Sequence, residues 1–87
     1  MKIKDGFVLR EVSGNHIVVA VGEGTKVFNG MIQLNETSAF LWKMLQSDVA
    51  EQDLVNGLVA EYNVEKSIAE SDVKEFIDSL KEANLLR

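Results

Sequence analysis

The hydrophobic periodicity of this chain changes once, near Asn35, and that change limits the folds open to it. Before Asn35, β-rich stretches alternate with turn signals such as Ser13-Gly14-Asn15. After it, apolar residues recur at helical spacing. Strands followed by helices indicate an α+β domain, with helices packed on one side of a small antiparallel sheet.

The segment before Asn35 predicts three strands, near residues 7–12, 16–21 and 27–34, and no helix. Because Val18 and Ala20 are apolar like Ile17, Val19 and Val21, we expect a central strand covered on both faces. Alternation in the third strand places Phe28, Ile32 and Leu34 towards the core and Asn29, Met31 and Gln33 on the opposite face.

Three helices are predicted after the sheet, near residues 36–46, 50–62 and 68–83, which together give a winged helix-turn-helix-like fold. Asn35 is a good N-cap for the first helix, and Ser67 with Glu70 forms a capping-box pattern for the third. Asn84 suits a left-handed helix end, after which Leu85-Leu86 would fold back as an apolar anchor. The apolar stripes predict the buried residues Leu41, Trp42, Leu45, Leu54, Leu58, Val59, Val73, Phe76, Ile77 and Leu80.

Length and charge restrict the class of protein. The 87 residues suffice for one domain, residues 1–87, with one core. The net charge of −5 disfavours nucleic acid as a partner and favours a basic one. Cysteine is absent, and we find neither a signal peptide nor an apolar run long enough to cross a bilayer, so we expect a cytoplasmic protein without membrane association.

The sequence offers no catalytic or metal-binding constellation. His16 is the single histidine, so a serine nucleophile has no other imidazole as its base, and a metal would need several carboxylates to converge on His16. Gly22-Glu23-Gly24 lacks the third glycine of a dinucleotide-binding fingerprint, which favours a plain hairpin connection. We therefore expect neither an enzyme nor a bound cofactor.

A winged helix also occurs in DNA-binding transcriptional regulators, which is the alternative function for this chain. In those proteins the recognition helix brings arginine or lysine to the phosphates. The last helix here is mainly acidic, with Lys74 and Lys81 set against the carboxylates of Glu70, Asp72, Glu75, Asp78 and Glu82. Its electrostatic field therefore disfavours DNA.

An ordered set of motifs extends over nearly the whole chain. The set begins with Phe7-Val8-Leu9-Arg10 and Phe28-Asn29-Gly30, and continues through the junction Leu34-Asn35 to Trp42. It ends with the acidic-aliphatic pair Asp72-Val73 and the segment 80–86. This set resembles the PqqD family, in which many members have glycine at the position of Asn84. The resemblance implies a recognition element that binds the leader of a ribosomally made precursor peptide, as in the biosynthesis of pyrroloquinoline quinone or other modified peptides.

The resemblance also implies how and with whom such a domain would act. The leader would add as a strand beside the third strand, pack against the last helix, and be presented to a modifying enzyme, often a radical S-adenosylmethionine enzyme. The domain itself would be a monomer or a homodimer. The implied peptide-binding residues are Lys26, Val27, Phe28, Asn29, Met31, Gln33, Ala69, Asp72, Val73, Phe76 and Ser79. For Val73 and Phe76 simple core packing is an equal alternative, and Asp72 fits a surface charge as well as a contact to a basic leader residue.

Overall fold

The computed structural model describes residues 1–28 and 30–87. Three strands form one antiparallel sheet in the order β1-β2-β3, which confirms the predicted sheet with the second strand at its centre. The three predicted helices follow the sheet. In chain order the elements are β1 (Phe7–Val12), β2 (Asn15–Ala20), α1 (Gly24–Val27), β3 (Met31–Leu34), α2 (Glu36–Met44), α3 (Glu51–Tyr62) and α4 (Lys66–Glu82).

The connection between β2 and β3 differs from the prediction. Residues Gly24–Val27 form a helical turn, α1, so the expectation of a strand from residue 27 and of no helix before Asn35 is wrong. The turn is closed by bonds from the Phe28 N–H to the Gly24 carbonyl, 3.0 Å, and from the Thr25 hydroxyl to the Gly22 carbonyl, 2.8 Å. The strand β3 is therefore only four residues long, and Asn29 lies outside the described residues.

The strand register separates a core face from a solvent face. Leu9, Val18 and Ile32 lie opposite one another across the three strands, and Val18 is buried against the helices. On the other side of β2, Ile17 and Val19 are only partly buried, and Val21, just beyond the strand, is exposed. The expectation that the central strand is covered on both faces is therefore wrong, because all three long helices pack on one side.

Local side-chain bonds explain where α2 and α3 begin. The Asn35 side-chain oxygen accepts the Ser38 N–H at 2.8 Å, which confirms Asn35 as the N-cap of α2. At the start of α3 the Asp53 carboxylate accepts the Ala50 N–H at 2.9 Å. The capping box predicted from Ser67 is wrong, because α4 already begins at Lys66 and Ser67 lies inside its first turn.

The core is formed by the inner faces of the helices and of the sheet. Trp42 and Leu45 are buried as predicted, and Val59, predicted to be buried, is only partly so. Gly57 in α3 lies close to α2, because a Cβ there would be 2.7 Å from the Met44 Sδ and the Met44 side chain would have to move. The buried cluster comprises Ile3, Phe7, Val18, Leu34, Ala39, Leu41, Trp42, Leu45, Leu54, Val55, Leu58, Ala69, Val73, Phe76, Ile77, Leu80 and Leu85.

The first and last residues lie side by side at the C-terminal end of α2. The Ile3 N–H donates to the Leu45 carbonyl at 2.9 Å, and the Arg87 N–H donates to the Lys2 carbonyl at 2.8 Å. Leu85 is fully buried after Asn84 ends α4 in a left-handed conformation, which confirms the predicted apolar anchor. None of the helices described is both long enough and apolar enough to cross a membrane.

Candidate functional site

An open groove separates the edge of β3 from α4 and is closed at one end by the start of α2. Two adjoining cavities of about 210 and 260 Å³ make up this groove. Both cavities share the side chains of Phe76 and Ser79 from α4 and of Asn35 and Ser38 from the strand-to-helix junction. The remaining lining residues are Ile32, Gln33, Leu34, Thr37, Leu41, Asp72, Glu75 and Leu80.

The wall of the groove on the sheet side is a free strand edge. The strand β3 pairs with β2 on one side and, within the described residues, with no strand on the other. An unpaired edge exposes N–H and C=O groups that another extended chain can bond. The strand β1 has a free edge as well, but its consecutive charged residues Arg10 and Glu11 are of the kind that discourage pairing, whereas β3 carries no charged residue.

The base of the groove is apolar. Phe76 is 8% exposed, and its ring belongs both to the core cluster and to the lining of the two cavities. Leu34 and Leu80 continue this base towards β3. A side chain that enters the groove from an added strand would therefore meet apolar surface, whose burial stabilises the contact.

The end of the groove nearest α2 is polar and acidic. Asp72 and Glu75 are exposed there, opposite Thr37 and Ser38. The neighbouring Lys74 does not neutralise them, because its ammonium group bonds the Asp78 carboxylate at 3.0 Å; this bond raises the pKa of Lys74. Two carboxylates beside hydroxyl groups provide acceptors for a cationic side chain.

The structure brings four of the predicted binding residues to the groove, namely Gln33, Asp72, Phe76 and Ser79. Met31 lies on β3 but on the solvent face, and Phe28 is partly buried against the core just before the strand. The other predicted residues lie elsewhere: Lys26 and Val27 on α1, Ala69 and Val73 fully buried in the core, and Asn29 outside the described residues.

Sequence reasoning missed most of the junction between β3 and α2. Asn35 was interpreted only as a helix cap, and Thr37 and Ser38 were given no role of their own, yet all three residues close the groove. Glu75 was considered only as one of the acidic residues of the last helix that disfavour DNA binding. The helical spacing of Asp72, Glu75 and Ser79 was the signal available, because residues three and four apart share one face of a helix.

The fold and the groove define a winged-helix-like α+β domain with an exposed strand edge beside its last helix. The family model of coenzyme PQQ synthesis protein D (PqqD) matches residues 9–86. The chain therefore belongs to the PqqD family.

Two solved structures are similar to this chain along almost its whole length. TbiB1, solved in complex with the TbiA(beta) leader peptide, is 23% identical with a TM-score of 0.77; the match covers 100% of this chain and 95% of TbiB1. Lasso peptide synthetase B1, complexed with the leader peptide, is 24% identical with a TM-score of 0.72, over 97% and 93% of the two chains. At this identity the likeness establishes a shared fold. A search of curated proteins gave no match.

Proposed function

We propose that this chain binds the leader region of a ribosomally made precursor peptide and presents it to a modifying enzyme. The observation that carries the proposal is the uncharged free edge of β3, which borders a groove with an apolar base. Membership of the PqqD family supports this function, and both similar structures were solved with leader peptides. The leader would lie beside β3 as a fourth strand.

Backbone bonding alone would hold such a leader weakly. Because β3 has four residues, only about two of them direct their N–H and C=O groups away from β2. These two residues would make about four hydrogen bonds, so at roughly 0.5–1.5 kcal/mol for each bond the edge supplies only about 2–6 kcal/mol before the cost of association. Side chains of the leader must therefore contribute much of the affinity and most of the selection, through contacts with Phe76 and its neighbours in the groove.

The charge of the groove supports a leader with a basic residue. Asp72 and Glu75 stand at the end of the groove near α2, and the whole chain has a net charge of −5. A lysine or arginine on the added strand would meet two carboxylates there, and the overall field would speed its approach. An acidic leader residue at this position would be repelled.

In this proposal the domain contributes binding and delivery, and the partner enzyme carries the chemistry. That enzyme would often be a radical S-adenosylmethionine enzyme, as the family resemblance implies, acting in the cytoplasm on the way to pyrroloquinoline quinone or another modified peptide. A role as a DNA-binding transcriptional regulator is not favoured, because the exposed charges of α4 are mainly carboxylates. A mobility-shift assay at low salt with short duplex DNA should show no retarded complex.

A titration of the labelled protein with its cognate leader tests the proposal directly. We expect the backbone amide signals of residues 31–34 to shift together with those of Asp72, Phe76 and Ser79. A leader that binds and shifts only the β1–β2 hairpin or α3 would place the binding site elsewhere and refute the groove.

Proline substitutions along β3 test the mode of binding. Alternate residues of an edge strand direct their N–H groups inward to the sheet or outward to solvent. Proline at Met31, Ile32 and Gln33 should therefore give two classes of variant: one loses stability, and the other keeps its stability but binds the leader more weakly. If no stable variant loses affinity, the leader does not pair with this edge.

A further inference from the structure

The solvent face of the sheet forms a second surface, which shares Gln33 with the lining of the groove. The register aligns Val8, Val19 and Met31 in one row across all three strands, and Arg10, Ile17 and Gln33 in the next row. We call this surface the outer face; with Val12 and Asn15, which pair next to the turn of the β1–β2 hairpin, it comprises eight strand residues.

The outer face is apolar but is not part of the core. The core cluster of the described residues does not include Val8, Ile17 or Val19, although all three are partly buried. Met31 is 72% exposed and Val12 is 52% exposed. Apolar side chains that adjoin across every strand of a sheet form a contiguous patch, and such patches mark sites of protein contact.

The charge of the outer face is opposite to that of the chain. Arg10 is its one charged strand residue, whereas the whole chain has a net charge of −5. Arg10 is exposed, and the ion pairs found within residues 1–28 and 30–87 do not involve it. Asn15 and Gln33 bond each other at 3.2 Å, which leaves the guanidinium as the main polar group offered to a partner. A complementary surface would be apolar with a carboxylate placed to meet Arg10.

A second copy of this chain does not fit that description. If two outer faces packed together, neither would offer the other a carboxylate from its strands, and Arg10 would be desolvated without a counter-charge. Each copy would also bring a net charge of −5. The occupant should therefore be a different protein.

The position of the outer face indicates which protein would bind there. Its apolar row ends at Met31 on β3, beside the edge where the leader would add as a fourth strand. Alternate side chains of that strand would point to the outer face and extend it. A protein docked on the outer face would consequently contact the bound leader as well.

We infer that the outer face is the docking surface for the modifying enzyme, with Val8, Val19 and Met31 as the apolar centre and Arg10 as the ionic contact. The identity of the partner rests on the proposed function, whereas the location of the surface rests on the sheet itself. The leader would thus occupy the edge of β3 and the groove, and the enzyme would occupy the outer face of the same sheet.

The test measures the affinity of the chain for a purified radical S-adenosylmethionine enzyme that the unchanged protein binds. Arg10→Glu should raise the Kd for the enzyme at least about tenfold, because an attraction becomes a repulsion. The matched control is Lys43→Glu, the same change of charge on the exposed side of α2, which should alter the Kd less than about twofold. Both variants should bind the leader as the unchanged protein does.

A titration of methyl signals locates the contact independently. Adding the enzyme should perturb the methyl groups of Val8 and Val12 on β1, the strand farthest from the groove, whereas the leader alone should leave them unchanged. An Arg10→Glu variant that keeps full affinity overturns the inference, as does broadening of the Val8 and Val12 signals with concentration of the chain alone. Failure of the leader to reach the groove would instead refute the proposed function.

Discussion

Gly24 at the start of α1 lies against the backbone of Gly6, so closely that a Cβ on Gly24 would overlap the Gly6 carbonyl oxygen. The same oxygen accepts the Val21 N–H at 2.8 Å. Gly6 itself has a φ of 96°, a conformation that glycine adopts without strain. The two glycines therefore hold the start of α1 against the segment just before β1.

Gly24→Ala should destabilise the protein by about 1–3 kcal/mol, because the added methyl group meets backbone atoms that cannot rotate away. Chemical denaturation monitored by circular dichroism would measure the change. The control is Gly30→Ala, where the nearest atoms belong to the movable Phe28 ring and the expected change is below about 1 kcal/mol. Equal stabilities for the two variants would contradict the close contact.

Trp42→Ala should cost about 3–5 kcal/mol in the free energy of unfolding. The side chain is 2% exposed in the centre of the core, so its removal forfeits burial and leaves a cavity. Denaturant melts of the two proteins, with Trp42→Phe as a milder replacement, would measure it. A loss below about 1 kcal/mol would be incompatible with a buried indole.

Asp72→Lys should weaken leader binding about fivefold or more at low salt, because a basic leader residue would meet a cation in place of a carboxylate. Isothermal titration calorimetry in low and high salt would separate this charge effect from a loss of packing, since salt screens exposed charges. Glu70→Lys makes the same change of charge on α4 outside the groove lining, and should alter affinity much less. Equal losses of leader affinity for the two variants would indicate that only the net charge of the chain matters, and not a contact at Asp72.

Tyr62 should make stability decrease at alkaline pH. Desolvation of its phenol raises the pKa of Tyr62, and the carboxylates of Glu36 and Glu61 raise it further. The folded pKa of Tyr62 lies above the unfolded value of about 10. The contribution of the neutral phenol to the free energy of unfolding is therefore fully present below pH ~10 and is lost as the pH rises through the folded pKa.

The chain has a single tyrosine, so its ultraviolet absorbance reports the ionisation of Tyr62 alone. We expect a higher midpoint in the folded protein than in denaturant. Tyr62→Phe keeps the ring that meets Phe40 edge-on, with centroids 5.6 Å apart, and should remove this part of the alkaline loss of stability. Identical midpoints in the folded and unfolded states would contradict the desolvated phenol.

Local signals in the sequence were sufficient for most of the fold. The Asn35 cap, the left-handed Asn84 and the apolar stripe containing Trp42 depend on neighbours within a few residues, and the structure confirms each of them. The helical turn α1 was missed because its cause is distant in the sequence: Gly6, before β1, contacts Gly24, after β2. Tertiary packing there overrides the β-propensity of Val27 and Phe28.

The groove was predictable only in part, and for a physical reason. The resemblance to the PqqD family directed attention to Asp72, Phe76 and Ser79 on the last helix, and the structure places all three beside the groove. Periodicity could not distinguish Phe76, at the base of the groove, from Val73, which is fully buried, because both belong to the same apolar stripe. Only the packed position of α4 against the sheet separates them.

The pairing of Lys2 with Arg87 has a consequence for how this domain can be joined to other proteins. Both residues lie at the C-terminal end of α2, whereas the groove is closed by the N-terminal end of that helix, about 13 Å away for nine residues. A linker attached before Lys2 or after Arg87 would therefore leave from one common point, away from the acidic end of the groove. Fusions at either end should hold a peptide-modifying domain nearby without obstructing entry of the leader.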